Sequence, residues 1–204
     1  LNNHSVRFGT GIPVRVSSFY QNIQLIIDFI ITKLGSYNYI TMESVIPVIQ
    51  ISQEISFSSK LEHLYNSIIR TDEKYIKINA LHGLNDYLDL FMESDSSYKL
   101  MGNLKKYVFD YYNKFIRGSE DSIIKESVFQ IYINLEKITS TIQEYNYDIN
   151  IREIIRLCDS ILNKSSIGLN SEPYADIYIF DILDTLAIDF DQVVFLGFNE
   201  GVWP

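Results

Sequence analysis

With 204 residues, 47% of them hydrophobic and 21% charged, the chain can bury a sizeable core, which excludes a disordered or low-complexity protein. Its longest apolar stretch, IQLIIDFIITKL, is broken by Asp28 and falls far short of the ~20 residues of a bilayer crossing, so no membrane partner is expected. The net charge is −9, and residues 151–204 carry three basic against nine acidic groups, a balance that argues against autonomous phosphate binding without excluding a place in a larger DNA-acting assembly. The lone Cys158 rules out an internal disulfide framework, no charged leader with a cleavage site precedes Leu1, and a cytoplasmic location is expected.

In chain order, RFGTGIPV reads as a turn around Gly9 and Gly11. It lacks the Gly-Lys-Ser/Thr ending of a phosphate loop, and Pro13 follows. VSSFYQNIQLIIDFIITKLG predicts a helix capped by Ser17 or Ser18 and closed at Gly35, with Phe19, Ile23, Ile26, Ile27, Ile30, Ile31 and Leu34 on one face. A second helix starts at Thr41, where Pro47 limits it to a turn or two. SSKLEHLYNSIIR predicts a third, with Leu61, Leu64, Tyr65, Ile68 and Ile69 inward, and LNDYLDLFM a short fourth. Further helices follow: NLKKYVFDYYNKFIRG up to Gly118, then a long one through Val128, Ile131, Leu135, Ile138 and Ile142, then INIREIIRLCDSILN. After the loop NKSSIGLNSEP the pattern changes. DIYIFD alternates with period two, and DQVVFLGF, with Val193, Val194, Phe195 and Leu196 in one run, reads as a strand buried on both faces. The fold expected is mainly α, a helical array followed by strands, with a boundary near 165 to 175.

Chemistry-bearing residues are sparse. His4, His63 and His82 are isolated, no Cys-x-x-Cys or His-x-x-x-His spacing occurs, and no metal site is expected. Cys158 lies on the apolar side of its helix and reads as a small hydrophobe. Lys105, Lys106, Lys114 and Arg117 alternate with Tyr107, Phe109, Tyr111, Tyr112 and Phe115; these cations are candidate DNA contacts, because bases stack on aromatic rings between cations. The competing reading has Leu104, Val108, Tyr111, Tyr112 and Phe115 filling a core face under solvated lysines. Asp181, Asp184, Asp189 and Asp191 form an acidic cluster, but no lysine follows at the spacing of a Glu-x-Lys nuclease motif.

The final segment, DIYIFDILDTLAIDFDQVVFLGFNEGVWP, resembles the stretch of AddB-type helicase–nuclease subunits that ends D-x-V, two apolar residues, G-x-N-E-G-x-W/F-P. Ile177, Ile179, Leu183, Asp191, Val193, Gly197, Asn199, Glu200, Gly201, Trp203 and Pro204 match. Asp181 stands where that family usually has glycine, Leu186 where it has arginine, and Asp184 is a shortened substitute for glutamate. SVRFGTGIPVRVSSFYQNIQLI looks like the family's Ser-x-G-x-P-L stretch before a helix.

The resemblance implies that residues 1–170 are a helical insertion and that 171–204 begin an incomplete RecA-like α/β motor domain, the second of the parent, at its motif V. It places Asp189, Asn199, Glu200, Gly201 and Trp203 at the nucleotide cleft or DNA path. No catalytic residue or cofactor falls in this segment, while ATP and Mg2+ are implied for the parent complex, with DNA and an AddA-type subunit as partners. The function so implied is ATP-dependent processing of double-strand DNA ends in recombinational repair. The alternative is a non-enzymatic helical protein-interaction module.

Overall fold

The computed structural model describes residues 6–8, 11–71, 73–145, 149–167, 177–179 and 192–194. In chain order its elements are β1 (Val6–Phe8), β2 (Ile12–Pro13), α1 (Ser18–Gly35), β3 (Tyr39–Thr41), α2 (Met42–Ile55), α3 (Ser59–Arg70), β4 (Tyr75–Lys77), α4 (Asp86–Met92), α5 (Ser97–Tyr111), α6 (Ser122–Glu144), α7 (Ile151–Lys164), β5 (Ser166–Ile167) and β6 (Ile177–Ile179). The described chain is mainly helical, as expected. It divides into a unit formed by Gly11–Leu169 and another formed by Leu1–Thr10 with Asn170–Pro204.

The helical unit is built around α1. Ser17 caps it by accepting the Tyr20 N–H at 3.1 Å, and the 3.6-residue spacing then buries Phe19, Ile23, Ile26, Ile27, Phe29 and Ile30. Around it pack α2, α4 and α6, and the α5–α6 and α6–α7 pairs complete the array. Phe19 lies against Tyr107 at 5.7 Å and Tyr111 at 4.4 Å between ring centroids, which ties α1 to α5. Asn150 and Glu153 form a reciprocal capping box that starts α7. Tyr20 then bridges α1 to α7 through Asp159 at 3.2 Å and Asn163 at 3.0 Å; burial, with the Asp159 charge, pushes its phenol up to about 12.

Two short ribbons close this unit at different levels. Ile12 and Pro13 pair antiparallel with Ile167 and Ser166, and the Val14 N–H donates to the Ser165 carbonyl at 2.9 Å, so the chain enters and leaves the array side by side. Within the array, Tyr39–Thr41 pairs antiparallel with Lys77–Tyr75, and this second ribbon gathers the ends of the α2–α3 hairpin. Ile40 and Ile76 face inward and are buried. In the other unit, Val6, Arg7 and Phe8 pair in parallel with Ile177, Tyr178 and Ile179. The whole helical unit is therefore the connection between two parallel neighbours, where a helical crossover ordinarily stands.

Several expectations are corrected. α2 runs on through Pro47 to Ile55 instead of stopping after a turn or two: the proline falls in the second turn, and buried Val45, Val48, Ile49 and Ile51 outweigh one missing backbone bond. Ile69, expected inward, is exposed, because Leu61 and Ile68 alone bury fully on α3. Tyr112 and Phe115 are not core residues. A π turn over Tyr112–Ile116, with the Arg117 N–H bonded to the Tyr112 carbonyl at 2.9 Å, shifts the register by one residue and buries Ile116 instead.

The expected buried strand at DQVVFLGF also fails where it can be followed. Val193 and Val194 are 53% and 82% exposed and form no strand, since among the described residues no segment pairs with them or covers them. Phe195 and Leu196 lie outside the described residues. The alternating segment does form a strand at Ile177–Ile179, whereas Ser166–Ile167, read as loop, is a strand.

Candidate functional site

The basic and aromatic stretch that runs from α5 through the π turn to Arg117 separates into groups with different tasks. Tyr107 is fully buried between Phe19, Phe91 and Tyr111. Three of the four candidate cations are already engaged. Lys105 pairs with Glu136 of α6 at 2.8 Å; Lys106 pairs with Asp110 at 3.0 Å and lies 5.2 Å from the Tyr87 ring centroid. Lys114 donates to the Glu54 and Ile55 carbonyls at 2.7 and 2.8 Å, where a cation satisfies the orphan acceptors at the end of α2. Arg117 is exposed, and its guanidinium makes no hydrogen bond or ion pair with the described residues.

The three engaged cations are not brought to one surface point by their partners: Lys105 is drawn to α6, Lys106 to the next turn of α5, and Lys114 to the end of α2. Each engaged lysine would have to give up its bond to hold a phosphate. For surface pairs that cost is small, ~0–1 kcal/mol. Asp110 also accepts the Tyr87 hydroxyl at 2.5 Å, so Lys106, Asp110 and Tyr87 form one network between α4 and α5. Burial alone would raise the Asp110 carboxyl, but the bonds from Tyr87 and Lys106 outweigh it and hold the group below the usual carboxylate range.

A groove of about 590 Å³ opens between α2 and α3, with Ile49, Leu61 and Phe57 along it and Glu54 and Glu62 among its polar residues. Its floor is fixed from both ends. Gln53 exchanges two hydrogen bonds with the Ser58 backbone, at 3.0 and 3.1 Å, and Gln50 donates to the Tyr65 hydroxyl at 2.8 Å. Asn85 donates to the Ser56 carbonyl and Ser58 to that of Leu84, which pins the α2–α3 turn to the start of α4.

Among the described residues, no group of three or more His, Cys, Asp or Glu is placed to hold a metal ion, and no helix is long and apolar enough to cross a membrane. Cys158 is buried against Met101 at 3.5 Å between sulfurs, and burial pushes its thiol up to about 12, which keeps it out of nucleophilic chemistry. His82 lies 3.7 Å from Asp89 at the surface. Asp181, Asp184, Asp189, Asp191, Asn199, Glu200, Gly201 and Trp203 lie outside the described residues.

The face that sequence reasoning missed belongs to the β3–β4 ribbon. Tyr39, Tyr75 and Lys77 point away from the core, but strands of three residues are too short for their alternation to stand out. No family model, curated protein or solved structure matches the chain.

Proposed function

We propose that the chain is part of an AddB-type subunit of a helicase–nuclease that processes double-strand DNA ends, contributing a helical insertion and the adjoining part of a RecA-like second motor domain. The observation that carries this reading is the parallel pairing of Val6–Phe8 with Ile177–Ile179, two strands whose connection is the entire helical unit. Parallel pairs belong almost entirely to sheets of α/β domains, and such a sheet is what an insertion in a motor domain interrupts. The N-E-G-x-W-P ending, from Asn199 to Pro204, gives the reading its family.

In this reading the segment supplies DNA path and interdomain structure rather than a reaction centre. The parent binds ATP and Mg2+ through residues elsewhere and works in the cytoplasm with an AddA-type subunit. Asp189, Asn199, Glu200, Gly201 and Trp203 line the nucleotide cleft or DNA path, and Arg117, just after the π turn, is the candidate cation most available to a phosphate. The test is the full-length parent, co-expressed with an AddA-type subunit. The two should copurify and degrade linear duplex DNA in an ATP-dependent manner, and Asn199→Ala with Glu200→Ala should lower that activity at unchanged melting temperature. Failure of the subunits to associate would overturn the reading.

The interaction-module alternative has one observation on its side. Phe109 and Phe129, on the paired helices α5 and α6, are 56% and 51% exposed, as expected of side chains that a protein partner covers.

A further inference from the structure

The β3–β4 ribbon has two unlike faces. Inward, Ile40 and Ile76 pair across the strands and are buried. Outward, the same register sets Tyr39 opposite Lys77 and Thr41 opposite Tyr75, so that the two tyrosines stand diagonally on one face with a lysine beside the first. Tyr39 is 52% and Tyr75 58% exposed, far more than a packing role requires.

What distinguishes these rings is that the register sets two of them on one face with a lysine beside them, and that no ring or cation of the described residues engages them. Phe115 is stacked on Tyr111 and approached by Lys114, whereas neither Tyr39 nor Tyr75 stacks on another ring or accepts a cation among the described residues. Lys74 and Lys77 likewise have no acid within ion-pair distance among the described residues, in contrast to Lys99, Lys105 and Lys106. The local sequence from 70 to 77 carries Arg70, Lys74 and Lys77 against Asp72 and Glu73, a small positive balance in a chain whose net charge is −9.

Free aromatic faces on adjacent strands, separated diagonally by ~7–8 Å with uncommitted ammonium groups at their side, match what single-stranded nucleic acid needs: bases stack on the rings and phosphates meet the cations. A duplex offers no exposed base faces to such a surface. We propose that the outer face of the β3–β4 ribbon, Tyr39 and Tyr75 with Lys77, is a binding site for single-stranded DNA. The choice of DNA rests on the function proposed above. The ribbon itself is anchored by the burial of Ile40 and Ile76, and by the flanking bonds of Met42 N–H to the Lys74 carbonyl at 2.9 Å and Ile78 N–H to the Asn38 carbonyl at 3.0 Å. The backbone that carries the two rings is thus fixed before a strand arrives.

The experiment is fluorescence anisotropy of the full chain with a labelled oligothymidylate of about 20 nucleotides, long enough to cover a stacking site. Tyr39→Ala and Tyr75→Ala should each weaken binding about tenfold, whereas Tyr75→Phe keeps the ring and should bind as the parent does. Lys77→Gln should flatten the salt dependence by nearly one counterion, while Tyr98→Ala, an exposed tyrosine of α5, should change nothing. Melting temperatures of all variants should match, since the substituted side chains are exposed. Absent binding, binding indifferent to Tyr39→Ala and Tyr75→Ala, or preference for the oligouridylate of equal length would overturn the proposal. Oligothymidylate binding that follows this pattern while the AddA-type subunit fails to copurify would sink the parent assignment and leave the site standing.

Discussion

The Val14 N–H donates to the Ser165 carbonyl at 2.9 Å, although 151 positions separate the two residues in sequence (165 − 14). That bond, with the Ile12–Ile167 pairing beside it, closes the helical unit at its own neck, so that its first and last residues run side by side.

Gly11 marks the tightest point of that neck. A Cβ there would lie 2.4 Å from the Ile167 carbonyl oxygen and 2.9 Å from its carbon, contacts that require the backbone to move. Gly11→Ala should therefore cost about 1–3 kcal/mol, read as a lowered urea midpoint at unchanged slope. Wild-type stability in this variant would mean that the neck is loose in solution.

Ser127 makes the opposite case. Its hydroxyl is fully buried in α6 without a hydrogen-bond partner among the described residues, as is that of Ser52 in α2. A buried, unpaired polar group costs ~1–3 kcal/mol, so Ser127→Ala should be neutral or raise the melting temperature. A clear loss of stability would show that the hydroxyl is satisfied.

The Cys158 thiol should resist disulfide exchange in the native chain and react only as fast as the helices open. Its value rises from an ordinary 9.0 to about 12 on burial, and Tyr20 rises from 10.0 to about 12. Both groups are held protonated by folding. Their contribution is therefore complete below pH ~9 and declines as pH rises towards 12, because only the unfolded chain then ionises. Unfolding free energies measured from pH 7 to 11 should fall above about pH 9. Rapid stoichiometric labelling of the thiol at neutral pH would contradict this account of its burial.

Asp110 titrates in the other direction. Because its folded-state carboxyl lies below the ordinary range, its stabilisation is present above the unfolded value near 4 and is lost as pH falls through the folded one. Asp110→Asn should lower stability at pH 7 and flatten its acid limb. An acid limb identical to that of the parent would remove the Tyr87–Asp110–Lys106 network from the account.

How much of this was legible in the sequence depended on how local its cause is. Most of α1 could be read in advance, since its cap, Ser17, and its apolar stripe lie within the helix itself, although Ile31 of the expected face is exposed and Phe29, outside it, is buried. The passage of α2 through Pro47 could not, because the compensation comes from partners on other helices. The ribbons escaped for a similar reason: Ile12–Pro13 and Ser166–Ile167 are strands only because they meet each other. Val193 and Val194 show the reverse failure, an apolar run that is not a strand where no neighbour pairs with it among the described residues. At the candidate site, the composition of α5 was visible, but not that Glu136, 31 residues after Lys105, engages its cation. The tyrosines of the β3–β4 face became candidates only once the register set them side by side.

Gly11–Leu169 is a self-contained helical unit, with its core, caps and neck inside its own limits. Urea unfolding of residues 11–169 expressed alone, followed by helical circular dichroism beside the whole chain, tests it most directly. The account expects one cooperative transition at the midpoint that the helical signal shows in the whole chain. Helix that melts gradually, or a midpoint restored only when residues 1–10 and 170–204 are added back, would contradict it.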